Sequence, residues 1–249
     1  MKYICLIPAR YESSRFPGKP LAKIGGVEMI VRVCKQVEKT GIEFAVATDN
    51  DEIADCVRKA GYKAVITAKD HRSGTERIEE AYRNLGSDAD VVINIQGDEP
   101  FIKPEQILKI KDIFESDETT QLATLAKRFD PSEGFDALFD PNLVKLVYSD
   151  RMDALYFSRS IIPYIRRTDW QNWLKEYEFH THIGIYGYKA ETLRDIVKLP
   201  ESSLERAESL EQLRWLQNGY RIKVGLTEFS TIGIDTPEDL RKAEEAIAE

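Results

Sequence analysis

The chain has 249 residues, 42% of them hydrophobic and 31% charged, with a formal net charge of −8. That size supports one large core or two unequal lobes burying roughly 70–75% of the extended surface. The acidic balance argues against duplex DNA or an anionic membrane as a general partner, but a local basic loop with a divalent cation can still invert the field at one site for a small polyanion.

In chain order, residues 4–7 read as a first strand, followed by a Gly- and Pro-containing loop to residue 26 and a helix over about 29–39. The first apolar run is too short for a signal segment or a membrane span, and Pro8-Ala9-Arg10 ends it, so a cytoplasmic protein without membrane insertion is expected. Cys5 lies in that run as an inert core thiol. With Cys34 and Cys56 it forms no CxxC, which speaks against a disulfide framework and against zinc. A strand at 43–47, a helix at 49–59 opened by Asp49 and Glu52, a strand at 63–66 and a helix at 75–85 follow. The run 91–95 is β-branched without alternation, which suits a strand buried on both faces, and Pro104 opens a helix to about 115. Strand-then-helix alternation at this pitch predicts a mostly parallel sheet covered on both sides, whose ligands bind past the C-terminal strand ends.

After a strand at 121–127 the rhythm changes. Strands are predicted at 143–148, 154–158 and 183–188, and one helix at 203–218 opened by a Ser202/Glu205 capping box. Residues 221–225 and 231–234 resume β character before a helix from Pro237. The expectation is one α/β domain, 1–249, carrying a smaller insert over about 128–220.

The loop from Pro8 to Leu21 brings Arg10, Arg15 and Lys19 together with the hydroxyls of Ser13 and Ser14. A triphosphate needs such fixed cations and hydroxyl donors, although the P-loop pattern GxxxxGK[ST] is absent. Asp98 follows a buried strand and precedes Glu99-Pro100. Asp235 follows another apolar run and precedes Thr236 at an N-cap, Pro237 at N1 and Asp239 at N3. Rigidly placed carboxylates of this kind suit Mg²⁺, which takes one or two of them and completes its shell with phosphates and waters. Asp235 is equally readable as a cap-region acid. Arg72-Ser73-Gly74-Thr75 combines a guanidinium, backbone donors and a helix N-terminus, and would accept a phosphate, while Arg77 is as readable as a brace of that loop as a ligand contact. Arg159 suits a carboxylate, and His182 and Tyr186 share one face of their strand. On the helix at 203–218, Glu208, Glu211 and Trp215 form one stripe.

These pieces in this order, with Ala47-Thr48-Asp49, His71 to Arg77, Asn94 to Pro100, Tyr156 to Arg159, His182 to Tyr186, Leu210 to Arg214 and Gly233 to Asp239, resemble the CMP-Kdo synthetases (3-deoxy-manno-octulosonate cytidylyltransferases) among the nucleotidylyltransferases, nearly end to end. The resemblance implies a three-layer Rossmann-like nucleotide-diphospho-sugar transferase fold and transfer of CMP from CTP to an acidic 2-keto sugar for lipopolysaccharide. It implies Mg²⁺ on Asp98 and Asp235. CTP would be held by Pro8, Ala9, Arg10, Ser14, Arg15, Lys19, Arg72, Ser73, Gly74, Gln96 and Asp98, with Arg10, Lys19, Asp98 and Asp235 catalytic. The sugar would meet Gln96 together with Arg159, His182, Tyr186, Glu211 and Gln212 of the insert, which would also carry a homodimer contact. CMP-sialic acid synthetases, sugar-1-phosphate nucleotidylyltransferases and a catalytically silent nucleotide-binding protein are the competing readings. The cytosine preference follows from the resemblance, since residue spacing does not separate CTP from UTP.

Overall fold

A computed structural model describes residues 1–12, 16–231 and 233–248, the side chains of 246–248 excepted. The strands are β1 (Tyr3–Ala9), β2 (Lys23–Ile24), β3 (Val27–Glu28), β4 (Glu43–Thr48), β5 (Ala64–Ile66), β6 (Val91–Asn94), β7 (Leu122–Arg128), β8 (Lys145–Tyr148), β9 (Ala154–Ser158), β10 (His180–Lys189) and β11 (Ile222–Leu226). The α-helices are α1 (Met29–Glu38), α2 (Asp51–Lys59), α3 (Gly74–Asn84), α4 (Pro104–Ser116), α5 (Gly134–Phe139), α6 (Trp173–Glu176), α7 (Ala190–Ile196), α8 (Ser203–Glu208), α9 (Gln212–Gln217) and α10 (Pro237–Ala248).

The main sheet runs β11-β7-β10-β6-β1-β4-β5, with the β8–β9 hairpin attached to β10. β1, β4, β5 and β6 are mutually parallel, as are β7 and β11, and β10 runs antiparallel between β6 and β7. Two apolar layers cover it. One face packs on α1, α2 and α4 through Ile30, Val33, Ile53, Ile107 and Phe114, the other on α3, α7 and α9 through Ile78, Leu193, Leu213 and Trp215. This is the three-layer α/β fold that alternation predicts. Gly187 of β10 lets α4 approach, since a Cβ there would lie 2.6 Å from both Ile110 and Phe114. A separate small cluster, Phe129, Leu138, Trp173 and Phe179, forms within residues 128–220, whereas β10 of the same stretch lies in the middle of the main sheet.

Several local expectations need correction. The predicted helix 203–218 is two short helices, because Ser209 turns left-handed (φ 51°) and ends α8; Glu208, Glu211 and Trp215 therefore do not form one stripe. The Ser202/Glu205 capping box stands. Asn50, not Asp49, caps α2 by accepting from the Ile53 amide, since Asp49 is occupied by Arg77. Residues 231–234 form no strand among the described residues. The Ile234 amide instead donates to the Asp98 carbonyl, and Ile232 lies outside the description.

Candidate active site

At the C-terminal ends of β1 and β6, the loops after β1, before α3 and after β6 enclose a cavity of about 280 Å³. Its lining includes Pro8, Ala9, Arg10, Lys19, Arg72, Ser73, Gly74, Gln96, Gly97, Asp98 and Asp235. Nearly the whole expected nucleotide set is thus brought together; Ser14 and Arg15 lie outside the described residues. The floor is tight. Gly97 passes so close to β1 that a Cβ would stand 2.6 Å from the Pro8 carbonyl oxygen.

Lys19 opens a short 3-10 turn after Gly18, whose left-handed backbone (φ 70°) bends the loop back so that its amide donates to the Tyr11 carbonyl. The Lys19 Nζ donates to Asp98 Oδ2 at 2.6 Å and to Asp235 Oδ1 at 3.1 Å. Asp98 comes from the loop after β6. Asp235 comes from the segment before α10, clasped to it by the bond from the Ile234 amide to the Asp98 carbonyl and fixed by the reciprocal cap in which Thr236 Oγ1 accepts from the Asp239 amide while Asp239 accepts from the Thr236 amide. Two carboxylates therefore converge on one cationic atom, which offsets their repulsion. Among the described residues no cluster of three or more His, Cys, Asp or Glu could by itself hold a metal ion.

The third wall is the start of α3. Ser73 caps it by accepting from the Glu76 amide. Arg72 is exposed and its guanidinium grips Glu76, while Arg77 is buried and donates to Asp49 at 2.9 Å, Thr67 at 2.7 Å and the Ala68 carbonyl. Arg77 thus braces the loop from beneath and also lines the cavity.

Of the expected acceptor residues, Gln96 lines the nucleotide cavity and His182 a second one, while Arg159, Tyr186, Glu211 and Gln212 line neither. His182 contacts Thr124 Oγ1 through Nε2 at 3.0 Å and packs between Phe157 and Tyr186; burial pushes its pKa down to about 3, so the ring is neutral. Tyr186 is buried against Trp215. Arg159 spends its guanidinium on the carbonyls of Glu208, Ser209 and Pro141. The Glu208 carboxylate accepts from Ser158 Oγ and the Arg159 amide. Glu211 accepts from Ser73, Thr75 and Arg214, and Gln212 is buried beside it. Gln96 donates to the Gly184 carbonyl and so links the nucleotide cavity to β10. A second cavity of about 290 Å³ includes Glu99, Lys127, His182, Gly184 and Thr231 in its lining. Burial, and next the Asp98 charge, push the Glu99 carboxyl up to about 8.

Residues 4–222 match the Cytidylyltransferase family. The chain belongs to that family. It is 55% identical over 244 residues to a 3-deoxy-manno-octulosonate cytidylyltransferase of Parabacteroides distasonis, covering 98% of this chain and 97% of the relative. A Bacteroides thetaiotaomicron protein of the same name is 54% identical over 245 residues, with 98% of each chain covered. Among solved structures, CMP:2-keto-3-deoxy-manno-octonic acid synthetase complexed with CTP superposes with a TM-score of 0.90 at 39% identity, covering 100% of this chain and 99% of that one.

Within this cytidylyltransferase, motif reasoning did not single out Gly97 or His71 as cavity residues, or Lys145 as a support. Lys145 is fully buried, and its ammonium donates to the carbonyls of Asp140, Leu143 and Arg159. A lysine in a short strand carries no sequence signal of burial, so only the tertiary structure reveals it. No helix of the described residues is long and apolar enough to cross a membrane.

Proposed function

We propose that this chain transfers the cytidylyl group of CTP to 3-deoxy-manno-octulosonate (Kdo), acting in the cytoplasm to supply activated sugar for lipopolysaccharide. The observation that carries this reading is the convergence of Asp98 and Asp235 on Lys19 at a cavity whose other walls are the two expected phosphate loops. The anomeric 2-hydroxyl of the sugar attacks the α-phosphorus. The new P–O bond forms as the bond to the α,β-bridging oxygen breaks, the hydroxyl proton passes to solvent water and pyrophosphate leaves. Lys19, Arg10 and Arg15 balance the triphosphate and departing pyrophosphate charge, and Ala9 and Gly74 present backbone to the base.

The donor set fits Mg²⁺: two carboxylates already share one cation, and phosphates and waters would complete six oxygens. Held by Asp98 and Asp235, the ion would neutralise charge on the α-phosphate oxygens. The sugar lies along Gln96, His182, Tyr186, Glu211 and Gln212. A neutral His182 offers a hydrogen bond rather than a charge, and Arg159 takes part through the turn it holds. Residues 128–220 carry the acceptor side and a homodimer contact, consistent with the exposed Phe139 and Trp170 there.

The test is pyrophosphate release from CTP and Mg²⁺ with Kdo, N-acetylneuraminate or glucose 1-phosphate as acceptor. Release with Kdo alone, abolished by EDTA, is expected. Release with another acceptor instead of Kdo would overturn the substrate assignment.

A further inference from the structure

The Glu211 carboxylate joins two parts of the chain that are remote in sequence. Its Oε1 accepts from Ser73 Oγ at 3.0 Å and from Arg214 Nη2 at 2.8 Å, and its Oε2 accepts from Thr75 Oγ1 at 2.7 Å. Ser73 Oγ in turn accepts from the Glu76 amide, so one hydroxyl caps α3 and ties it to Glu211. The loop so held is a wall of the nucleotide cavity, and it rests on Pro8, whose Cγ would lie 3.2 Å from a Cβ at Gly74. On the other side Glu211 immediately precedes α9 in a turn fixed by Arg159, which donates to the carbonyls of Glu208 and Ser209. Arg214 is itself buried, bonded to the Leu199 carbonyl and 3.2 Å from Glu205 of the α8 capping box. A carboxylate offers about four acceptor positions. Three are filled by these donors, which leaves one acceptor position.

We propose that Glu211 is a positioning residue that ties the 72–75 loop of the nucleotide cavity to the 208–212 turn of the acceptor side, so that the nucleotide and the sugar bind with positive coupling. The inference rests on the cytidylyl-transfer reading above. Because both walls hang on one carboxylate, a ligand that draws either wall into its binding position moves the other with it. Coupling of this kind is reciprocal. A perturbation on the loop side must weaken the sugar, and one on the turn side must weaken the nucleotide. A glutamate that only touched the sugar would give neither effect.

The experiment is calorimetric binding of cytidine 5′-(α,β-methylene)triphosphate with Mg²⁺, alone and with saturating Kdo. It uses the unmodified protein, Glu211→Gln and Thr75→Val, and melting curves establish that each variant is folded. In the unmodified protein Kdo is expected to tighten the analogue by about tenfold. Glu211→Gln should weaken the analogue severalfold even without Kdo, and both variants should bring the coupling close to one. Thr75→Val, nearly isosteric and on the nucleotide loop, should raise the dissociation constant of Kdo. Loss of Kdo affinity in Glu211→Gln with unchanged analogue binding and coupling would overturn the proposal, as would absence of coupling in the unmodified protein. Failure of the unmodified protein to bind the analogue at all would instead remove the cytidylyl-transfer reading beneath it.

Discussion

Gly97→Ala probes the cavity floor without touching a charged group. The added Cβ would stand 2.6 Å from the Pro8 carbonyl oxygen, and 3.6 Å from the Ala9 Cβ and the Ile30 Cδ1. The last two contacts are ordinary, but the first is backbone and cannot rotate away. To regain van der Waals distance, the end of β1 and the β6 loop must separate by roughly 0.8 Å. Overpacking of this kind costs about 1–3 kcal/mol, which lowers the melting temperature by roughly 2–12 °C in a chain of this size. The functional cost is expected to be larger. Pro8, Gly97 and Asp98 all line the cavity, and a displacement near 1 Å of positioning groups can cost about a hundredfold in rate. Steady-state pyrophosphate release at varied CTP, with a melting curve on the same preparation, separates the two effects. A folded Gly97→Ala protein with kcat/KM for CTP down by about a hundredfold is expected. Turnover within twofold of the unmodified protein would refute the close-approach reasoning.

Lys145→Met keeps the aliphatic stem but takes one donor from each of three carbonyls, of which that of Asp140 still accepts from the Leu143 amide. It should cost about 3 kcal/mol, read as a lower denaturant midpoint with an unchanged slope. Arg77→Met strands the Asp49 carboxylate beneath the nucleotide loop. A loss of about 3–5 kcal/mol is expected by the same measurement, and a loss below 1 kcal/mol would show the pair to be dispensable. His182 is neutral in the fold, with its pKa down to about 3, whereas the unfolded chain takes up a proton near 6.5. Its contribution to stability is therefore complete above pH 6.5 and is lost as pH falls from there toward 3. His182→Asn should flatten that part of the stability profile, and an unaltered acid limb would contradict the burial argument.

The site was legible in the chain because its parts follow strands that announce themselves. Val91 to Asn94 is buried throughout, as an unbroken β-branched run predicts, and the loop after it delivers Asp98 to the sheet's ligand-binding end. The Thr236–Asp239 cap was readable for the same local reason. What depends on distant partners was not. Asp49 reads as a cap until Arg77, 28 residues on, takes it and leaves Asn50 to cap α2. The 203–218 segment keeps helical residues across Ser209, yet the turn there is held open by Arg159, whose reach into it has no local signature. Likewise residues 183–188 are recognisable as a strand, but the antiparallel place of β10 between β6 and β7 is a long-range choice. Arg159 and Glu211 read as ligand groups by type, and their many protein partners appear only in the fold.

The most direct test of the reacting centre is pyrophosphate release by Asp98→Asn, measured with CTP, Mg²⁺ and Kdo beside the unmodified protein and accompanied by melting curves. The substitution keeps the side chain's shape and removes the charge that meets Lys19 and would meet the metal. A folded protein with kcat reduced by about a hundredfold to a thousandfold is predicted. Near-normal turnover would contradict the assignment of Asp98, Asp235 and Lys19 as the centre of nucleotidyl transfer.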